Sequence, residues 1–409
     1  MPVWQAAAWM MIAVLASGCA GKVKGVMAPV SVTPGAATSK VKMLVATTRS
    51  SSDDAATLFS GERSSTPSMT AIDISIPLEG TRKIGTVQWP KRLPANPKTD
   101  FAVTAVSQLH SRAEGSKWFH QHLVEGHAFV FVHGFNNTYE DSVFRLSQIV
   151  HDSGIAATPI LFTWPSRARL FDYNYDKEST NFSRTALENT IRLLSRDRDV
   201  RDITILAHSM GTWLTMEALR QMGIRSGRVD PKVRNVILAS PDIDIDVFAK
   251  QYVEMGSPKP KFTIFVSQDD KALAASRFIS GGVSRVGAIN PATEPYRSKL
   301  ERAGITAIDL TQVETDDGLN HGKFAESPEV VRLIGKRLAT GQPLTESDVT
   351  LGDGVVSVVA GATQGIGAAA VATAAAPAAI AAGPKRKHNR SADIEETLRS
   401  DPDAGPLTQ

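Results

Sequence analysis

The 409-residue chain has little of several things that define common protein classes. It has a single cysteine, Cys19, so no intrachain disulfide can form. Its formal net charge is only +3, and lysine and arginine are scattered except for the short run at residues 385–387. A small and dispersed charge argues against binding to nucleic acid. We therefore expect no nucleic-acid partner.

Sequence patterns for bound metals and nucleotides are also missing. The histidines are scattered, none forms the i, i+4 pair of a helical zinc site, and the cysteine lies near the N-terminus. The glycine-rich segment at residues 361–367 is not set in a strand–helix unit, so it does not meet the requirements of a dinucleotide loop. No internal repeat is visible. We expect neither a metal nor a cofactor.

Apolar strands that alternate with amphipathic helices are the main positive signal. From residue 129 onward this alternation predicts an α/β fold with a mostly parallel central sheet and helices on both faces. Two strands are expected before it, at residues 41–49 and 72–76, followed by short β segments near residue 87 and at residues 101–106. The predicted later strands are residues 129–132, 160–163, 203–206, 233–239, 262–266 and 305–310, and the predicted helices include 142–153, 184–197 and 330–338.

The strand at residues 203–206 runs directly into Ala-His-Ser-Met-Gly at residues 207–211. This resembles the G-x-S-x-G nucleophile elbow, with Ala207 in place of the first glycine. Small residues on both sides allow a tight turn, which exposes the serine hydroxyl and directs the N-terminus of the next helix toward developing negative charge. The pattern predicts Ser209 as a catalytic nucleophile.

A serine nucleophile needs a base and an orienting acid. In α/β hydrolases the order along the chain is Ser, then Asp or Glu, then His. Of the loop histidines His133, His208 and His321, only His321 follows Ser209 and a later strand. His321 is therefore the predicted base.

The predicted strand at residues 262–266 leads to two carboxylates, Asp269 and Asp270, and either could orient the base. Asp242, after the preceding strand, is the alternative acid, since some hydrolases place it there. The carboxylates from Asp242 to Asp246 could instead form the first turn of a helix.

The strand at residues 129–132 is followed by His133-Gly134-Phe135, at the position where an early loop gives a backbone N–H to the oxyanion. Gly134 permits a close backbone approach. The predicted oxyanion donors are the main-chain N–H groups of Phe135 and Met210.

The chain resembles the bacterial DUF900 family of α/β hydrolases over roughly residues 41–340. The resemblance implies a serine esterase-like or lipase-like enzyme with an ester or lipid substrate. In the family's pattern, a serine is followed after two residues by the acidic Asp, and after one more residue by Ala-Leu. The resemblance therefore implies that the acid is Asp270 rather than Asp269. It also implies that the family's downstream Gly/Asn-His element corresponds to His321. The segments that carry it are Val45 to Arg49, His133 to Thr138, Phe162 to Ser166, Ala207 to Gly211, Ser240 to Asp244 and Ser267 to Leu273.

The N-terminus reads as an export signal. An apolar stretch ends in Leu15-Ala16-Ser17-Gly18-Cys19, which resembles the lipobox of bacterial lipoproteins, where the cysteine is acylated. We therefore expect residues 1–19 to be a signal peptide and the protein to be exported to the cell envelope and held at a membrane by Cys19. Residues 20–40 are predicted to be a flexible tether, 41–342 the catalytic domain, and 343–409 an Ala/Gly-rich and polar tail.

The sequence thus predicts a serine acyl hydrolase with Ser209, Asp270 and His321 as its triad. A peptidase or thioesterase is a related alternative. A catalytically silent envelope lipoprotein that uses the fold to bind a partner is an alternative from another class. The segment at residues 164–176, with Phe171 and Tyr173, follows a strand and either covers the substrate or simply packs against the domain.

Overall fold

The computed structural model describes residues 22–32, 38–78, 80, 82–335, 350–351, 354–355 and 358–359. The predicted signal segment with Cys19 lies outside these residues, as does most of the predicted tail. No helix in the described ranges combines the length and apolar character needed to cross a membrane.

A ten-stranded mixed sheet forms the centre of the domain. Its strands are β1 Thr38–Ser51, β2 Phe59–Pro77, β3 Ala102–Leu109, β4 His127–Val132, β5 Thr158–Thr163, β6 Asp202–His208, β7 Val233–Ala239, β8 Lys261–Val266, β9 Thr306–Asp309 and β12 Val358–Val359, while β10 Thr350–Leu351 and β11 Gly354–Val355 pair separately.

The spatial order of the strands in the sheet is β12-β9-β8-β7-β6-β4-β5-β1-β2-β3. β1 and β4 to β9 are parallel to one another, whereas β2, β3 and β12 run antiparallel to their neighbours. The predicted α/β-hydrolase fold with a mostly parallel sheet is confirmed.

Helices connect the parallel strands and cover both faces of the sheet. Along β4, Val130 and Val132 belong to one buried cluster, while Phe129 and Phe131 belong to another. Because successive side chains of a strand point to opposite faces, a strand buried on both faces reads as a continuous apolar run. The helices are Arg112–Gln121, Tyr139–Ser153, Tyr173–Arg196, Met210–Ser226, Ile245–Glu254, Lys271–Ile279, Tyr296–Ala303, Lys323–Glu326 and Pro328–Leu333.

The helix Tyr173–Arg196 begins eleven residues earlier than the sequence predicts. Its first turns bury polar side chains, among them Asp176, Ser179 and Ser183. Hydrophobic periodicity cannot detect such a face, because the buried residues are not apolar. β2 also begins earlier than predicted. It extends back to Phe59 because Arg63 and Phe59 pair with Arg49 and Ser51 of β1, although residues 65–67 between the paired positions are exposed.

The predicted tether is packed against the domain over residues 22–32. Val26 and Met27 are buried, and backbone hydrogen bonds join Met27 N–H to the carbonyl of Ala56 and Val30 N–H to that of Val103. The folded part therefore begins before residue 41. At the other end, β12 adds residues of the predicted tail to the edge of the sheet beside β9.

The buried Arg49 joins the ends of several strands. Its guanidinium donates to Thr163 Oγ1 at 2.9 Å and to the carbonyl oxygens of Ser166 at 3.0 Å and Asn137 at 2.8 Å. Burial lowers the pKa of Arg49 to about 10, so the side chain still carries its charge at neutral pH. Arg49 thereby connects the end of β1 to the loops that follow β4 and β5.

We predict that Arg49→Met lowers the free energy of unfolding by about 3 kcal/mol, because it leaves buried carbonyl oxygens without donors and nearby carboxylates without a cation. Urea denaturation measures the loss. The matched control is Arg112→Met at an exposed position, where we expect a change within about 0.5 kcal/mol. If the two variants have the same free energy of unfolding, Arg49 does not stabilise the fold by joining the strand ends.

Candidate active site

The carboxyl ends of the parallel strands meet at one edge of the sheet, where their loops surround a cavity of about 290 Å³. This is where α/β folds place their ligands. The loops after β4, β6 and β9 contribute Phe135, Ser209 and His321 to its wall. Three of the residues predicted from the sequence thus lie around one cavity.

Ser209 occupies a sharp corner between β6 and the helix Met210–Ser226. Its backbone has φ 52° and ψ −124°, which is unusual for a residue with a side chain. The corner is held by a hydrogen bond from Ser209 N–H to the carbonyl of Ala239 at 2.9 Å, and the Ser209 carbonyl accepts from Thr212 N–H at 3.0 Å. Backbone strain at a cavity wall is a mark of a functional residue.

Two glycines allow the loop after β4 to approach this corner. A Cβ atom on Gly134 would lie 2.8 Å from the Cβ of Ser209, and a Cβ on Gly211 would overlap the carbonyl oxygen of His133. Any side chain at either position would push the two turns apart. The close approach therefore requires glycine at Gly134 and at Gly211.

The N–H groups of Phe135 and Met210 belong to these two turns. Met210 is the first residue of its helix, where an N–H group has no partner within the helix. Among the described residues, no protein group accepts a hydrogen bond from either N–H. Both donors remain available to a ligand in the cavity.

His321 is hydrogen-bonded to Asp270, with 2.7 Å between Nδ1 and Oδ2. A carboxylate only accepts, so Nδ1 carries the proton, and the lone pair of the neutral ring lies on Nε2. The other carboxylate oxygen of Asp270 accepts from Leu273 N–H at 2.9 Å and caps the helix Lys271–Ile279. Asp270 is buried, and each of its carboxylate oxygens therefore has a hydrogen-bond partner.

The neighbouring Asp269 faces a different partner. Both of its carboxylate oxygens lie 2.9 Å from Lys323 Nζ, and it accepts from Asn320 Nδ2 at 2.8 Å. Partial burial acts to raise the pKa of Asp269, but hydrogen bonds from Ser267 and Lys323 lower it below its ordinary value. Asp269 thus fastens the loop that carries His321, without contacting the imidazole.

Asp317 holds the same loop from within, and sequence reasoning missed it. Its carboxylate accepts from the backbone N–H groups of Leu319 at 3.0 Å, His321 at 2.7 Å and Gly322 at 2.9 Å. An aspartate before a glycine, here Asp317-Gly318, is a typical signal of a turn held by its own side chain. That signal could have identified Asp317.

The charges around His321 set its protonation. Burial acts to lower the pKa of His321, but the carboxylate of Asp270 and its hydrogen bond, together with Asp242 and Asp317, outweigh it. The pKa of His321 therefore lies above its ordinary value of 6.5. Asp270 both orients the ring and favours its charged form.

His208 is partly buried and packs against His321. Its Nε2 donates to the His321 carbonyl at 3.2 Å, and the two ring centroids are 4.7 Å apart. Burial and the nearby His321 hold the pKa of His208 well below 6.5, so this ring is neutral. Since His208 precedes Ser209 in the chain, this contact brings the His321 loop to the serine corner.

His133 is buried and stacked on Trp164, with ring centroids 4.8 Å apart. Its Nδ1 donates to the Gly134 carbonyl at 2.8 Å, and Nε2 accepts from Trp164 N–H at 3.1 Å. Burial, and then the charge of Arg49, lower the pKa of His133 to about 3. Because both ring nitrogens of His133 already have hydrogen-bond partners, neither is free to act as a base. His133 instead supports the Gly134 turn.

Asp242 lies on the cavity wall but is not the hydrogen-bond partner of His321 Nδ1. It accepts from Ser276 Oγ at 2.5 Å and from Tyr173 OH at 3.0 Å, and it pairs with the buried Arg285 at 3.2 Å. Tyr173 comes from the segment at residues 164–176, so this part of the chain forms a wall of the cavity. Sequence reasoning left the function of that segment open.

One group of side chains in the described ranges has the spacing of a metal site: His120, Asp197 and Asp199. The distance from His120 Nε2 to Asp197 Oδ2 is 2.7 Å. Asp197 and Asp199 precede β6, so the group lies at the amino edge of the sheet, opposite the cavity. It does not contribute to the candidate site.

The model of a family described as "Alpha/beta hydrolase of unknown function (DUF900)" matches residues 111–337, more than half of the chain. The chain belongs to this family. Membership supports a hydrolase-like function and names no substrate.

Two individual proteins are similar to parts of the chain. The uncharacterized protein alr1448 of Nostoc sp. is 36% identical over 61 residues, which cover 15% of this chain and 16% of that protein. The chain thus spans about one sixth of the length of this curated relative. The crystal structure of the gene lin2722 products from Listeria innocua is 11% identical with a TM-score of 0.32, over 51% of this chain and 92% of that one.

We predict that His321 titrates above 6.5 in the wild type and at a lower pH in Asp270→Asn than in the wild type. The substitution removes the largest influence that raises the pKa, whereas burial of the ring, which lowers it, remains. NMR titration of the imidazole measures both values and does not depend on any activity. The control is Asp269→Asn, which does not touch the ring and should leave the pKa of His321 nearly unchanged. An unshifted pKa in Asp270→Asn would contradict the assignment.

Proposed function

We propose that this protein is a serine-dependent acyl hydrolase that cleaves carboxylic esters. The observation that carries the proposal is the hydrogen bond from His321 to Asp270, in a loop that borders the cavity beside the strained Ser209. A serine, an imidazole oriented by a buried carboxylate, and two free backbone N–H groups are the components of nucleophilic acyl transfer. Asp269, Asp242 and His133 have other partners, and this supports Ser209, Asp270 and His321 as the proposed triad.

In the acylation step, Ser209 Oγ attacks the ester carbonyl carbon while His321 Nε2 accepts the hydroxyl proton. The carbonyl oxygen becomes negatively charged and accepts hydrogen bonds from the N–H groups of Phe135 and Met210. Each such donor is typically worth about 3 kcal/mol of transition-state stabilisation. The imidazolium of His321 then protonates the leaving alcohol as the C–O bond breaks.

In the deacylation step, His321 accepts a proton from water as the water oxygen attacks the acyl–serine carbonyl carbon. The same N–H groups stabilise the second oxyanion, and the proton returns to Ser209 Oγ as the carboxylic acid leaves. Asp270 stays ionised throughout, keeps the proton on Nδ1 and stabilises the imidazolium. The raised pKa of His321 agrees with a base that must hold a proton during the reaction.

Ser209→Ala is predicted to abolish both labelling by a fluorophosphonate probe and hydrolysis of p-nitrophenyl butyrate, because no other hydroxyl occupies the elbow. The fold should persist, as judged by circular dichroism and thermal unfolding. The matched control is Ser226→Ala at the exposed end of the same helix, which should react like the wild type. A wild type that is folded and yet neither labels nor hydrolyses esters would favour the silent envelope protein instead.

The two candidate acids should differ in which property they change. Asp270→Asn should lower kcat by about 10⁴-fold with little change in KM, because it no longer holds His321 in the reactive tautomer. Asp242→Asn should instead lower the free energy of unfolding by about 3 kcal/mol, because Arg285 loses its buried partner. Kinetics should be measured well below the unfolding temperature of each variant. A large loss of kcat only in Asp242→Asn would move the acid to the loop after β7.

We further propose that the protein is exported and anchored in the cell envelope by a lipidated Cys19. In a bacterial host the wild type should incorporate labelled palmitate and sediment with membranes, because several acyl chains on one residue bind a bilayer stably. Cys19→Ala should lose the label. The comparison should include Cys19→Ala shortened at residue 345, since the uncharged stretch at residues 354–383 could itself retain the protein. A wild type without label would exclude lipidation.

A further inference from the structure

Two apolar side chains at the edge of the cavity, Leu170 and Ile279, each have an exposed phenylalanine next to them in the chain. Leu170 and Phe171 come from the turn after β5, and Phe278 and Ile279 come from the end of the helix Lys271–Ile279. Leu170 and Ile279 line the cavity. Phe171 is 90% exposed, Phe278 75% and Ile279 55%. We call these four residues the apolar rim.

The two halves of the apolar rim come from separate parts of the chain but lie close together. The hydroxyl groups of Tyr173 and Ser276 are hydrogen-bonded at 2.9 Å. Tyr173 is two residues after Phe171, and Ser276 is two residues before Phe278. This bond therefore holds the two segments that carry the rim residues next to each other.

Single exposed apolar residues are common on protein surfaces and need no explanation. The apolar rim differs because one member from each segment, Leu170 and Ile279, lines the cavity that contains the candidate nucleophile. Contiguous exposed apolar surface generally marks a site of interaction with a protein, a membrane or a ligand. Phe135, Leu273 and Phe324 continue the apolar surface inward from the rim.

A lipid surface fits this rim better than a protein partner does. A protein seated on the rim would cover the opening through which substrate must enter. The exposed Arg169 and Arg277 directly flank the two halves of the rim. Exposed Phe and Leu side chains beside arginine are typical of surfaces that enter the headgroup region of anionic bilayers.

The described part of the chain begins at the same edge of the sheet. Lys22 forms an ion pair with Asp141 in the first turn of the helix after β4, at the carboxyl end of that strand. Cys19 is only three residues earlier, and three residues span at most about 11 Å. A lipid anchor at Cys19 would therefore hold the cavity edge of the domain near the bilayer.

We propose that the apolar rim docks on a lipid surface and that the substrate is a lipid ester, whose acyl chain passes from the bilayer into the cavity. The statement about the substrate rests on the proposed hydrolase function. The statement about docking does not require catalysis, so the two can be tested separately.

The docking test uses the full chain with Ser209→Ala and Cys19→Ala, so that neither hydrolysis nor lipidation contributes. Binding to vesicles of equal parts phosphatidylcholine and phosphatidylglycerol is measured by co-sedimentation. Adding Phe171→Ser and Phe278→Ser should weaken binding at least tenfold, because two large apolar side chains no longer leave water. The matched control adds Ile224→Ser and Val253→Ser, which are 60% and 69% exposed on helices near their C-terminal ends, away from the cavity edge. It should change binding less than twofold.

The substrate test uses the Cys19→Ala chain with Ser209 intact. The rate on a long-chain ester in the same vesicles is divided by the rate on soluble p-nitrophenyl butyrate. The two rim substitutions should lower this ratio at least tenfold, and the control pair should not. If the Cys19→Ala chain without rim substitutions hydrolyses neither ester, the hydrolase proposal fails. The vesicle-binding experiment would still decide whether the rim docks on lipid.

Two results would overturn docking on lipid. One is equal vesicle binding by the rim variant and its parent. The other is a rim variant that loses self-association in sedimentation velocity while vesicle binding stays the same, which would assign the rim to a second copy of this chain. Weaker vesicle binding by the rim variant, with unchanged binding by the control variant, would support the proposal.

Discussion

The close packing of two turns, one after β4 and one after β6, determines the geometry of the candidate site. These strands are neighbours, and their paired residues run up to Val132 and Ala207, so the chain leaves both strands side by side. The next residues can lie within contact distance only because Gly134 and Gly211 have no side chains to separate them. From this contact follow the strained corner at Ser209 and the two free N–H groups at its sides. The rest of the sheet, buried on both faces, keeps the two strand ends rigid enough to maintain the strain.

Three histidines lie around this contact, and their surroundings give them different roles. His133 is buried and His208 partly buried, neither has a carboxylate partner, and their pKa values lie far below that of a free imidazole. They act as neutral packing groups that donate to backbone carbonyl oxygens. His321 is also partly buried, but the carboxylates around it raise its pKa. Within the same cavity, the presence or absence of a nearby carboxylate therefore distinguishes the proposed base from the two neutral imidazoles.

Local sequence patterns could predict the sheet and the elbow because both depend on residues that are close in the chain. Apolar runs locate central strands, and small residues around a serine indicate a tight turn. The first helix turns at Tyr173 were missed because their buried face is polar and is paired through distant residues such as Arg63, which donates to Ser179. Arg49 was missed as a structural residue for a related reason. Its partners Asn137 and Ser166 are more than 80 residues away in the chain, and no periodic pattern connects them.

The choice between Asp269 and Asp270 could not be made from chemistry alone, because adjacent carboxylates at the end of a strand are equivalent in sequence. In the fold they face different partners, because Asp269 lies in the turn after β8 and Asp270 caps the helix that follows. Asp270 faces the imidazole, while Asp269 reaches Lys323, two residues beyond His321, and Asn320, one residue before it. Together with Asp317, which binds the backbone of the loop from within, three carboxylates fix the position of one histidine. Such redundancy has a physical purpose, since an imidazole on a loop would otherwise sample many orientations, and proton transfer requires a single one.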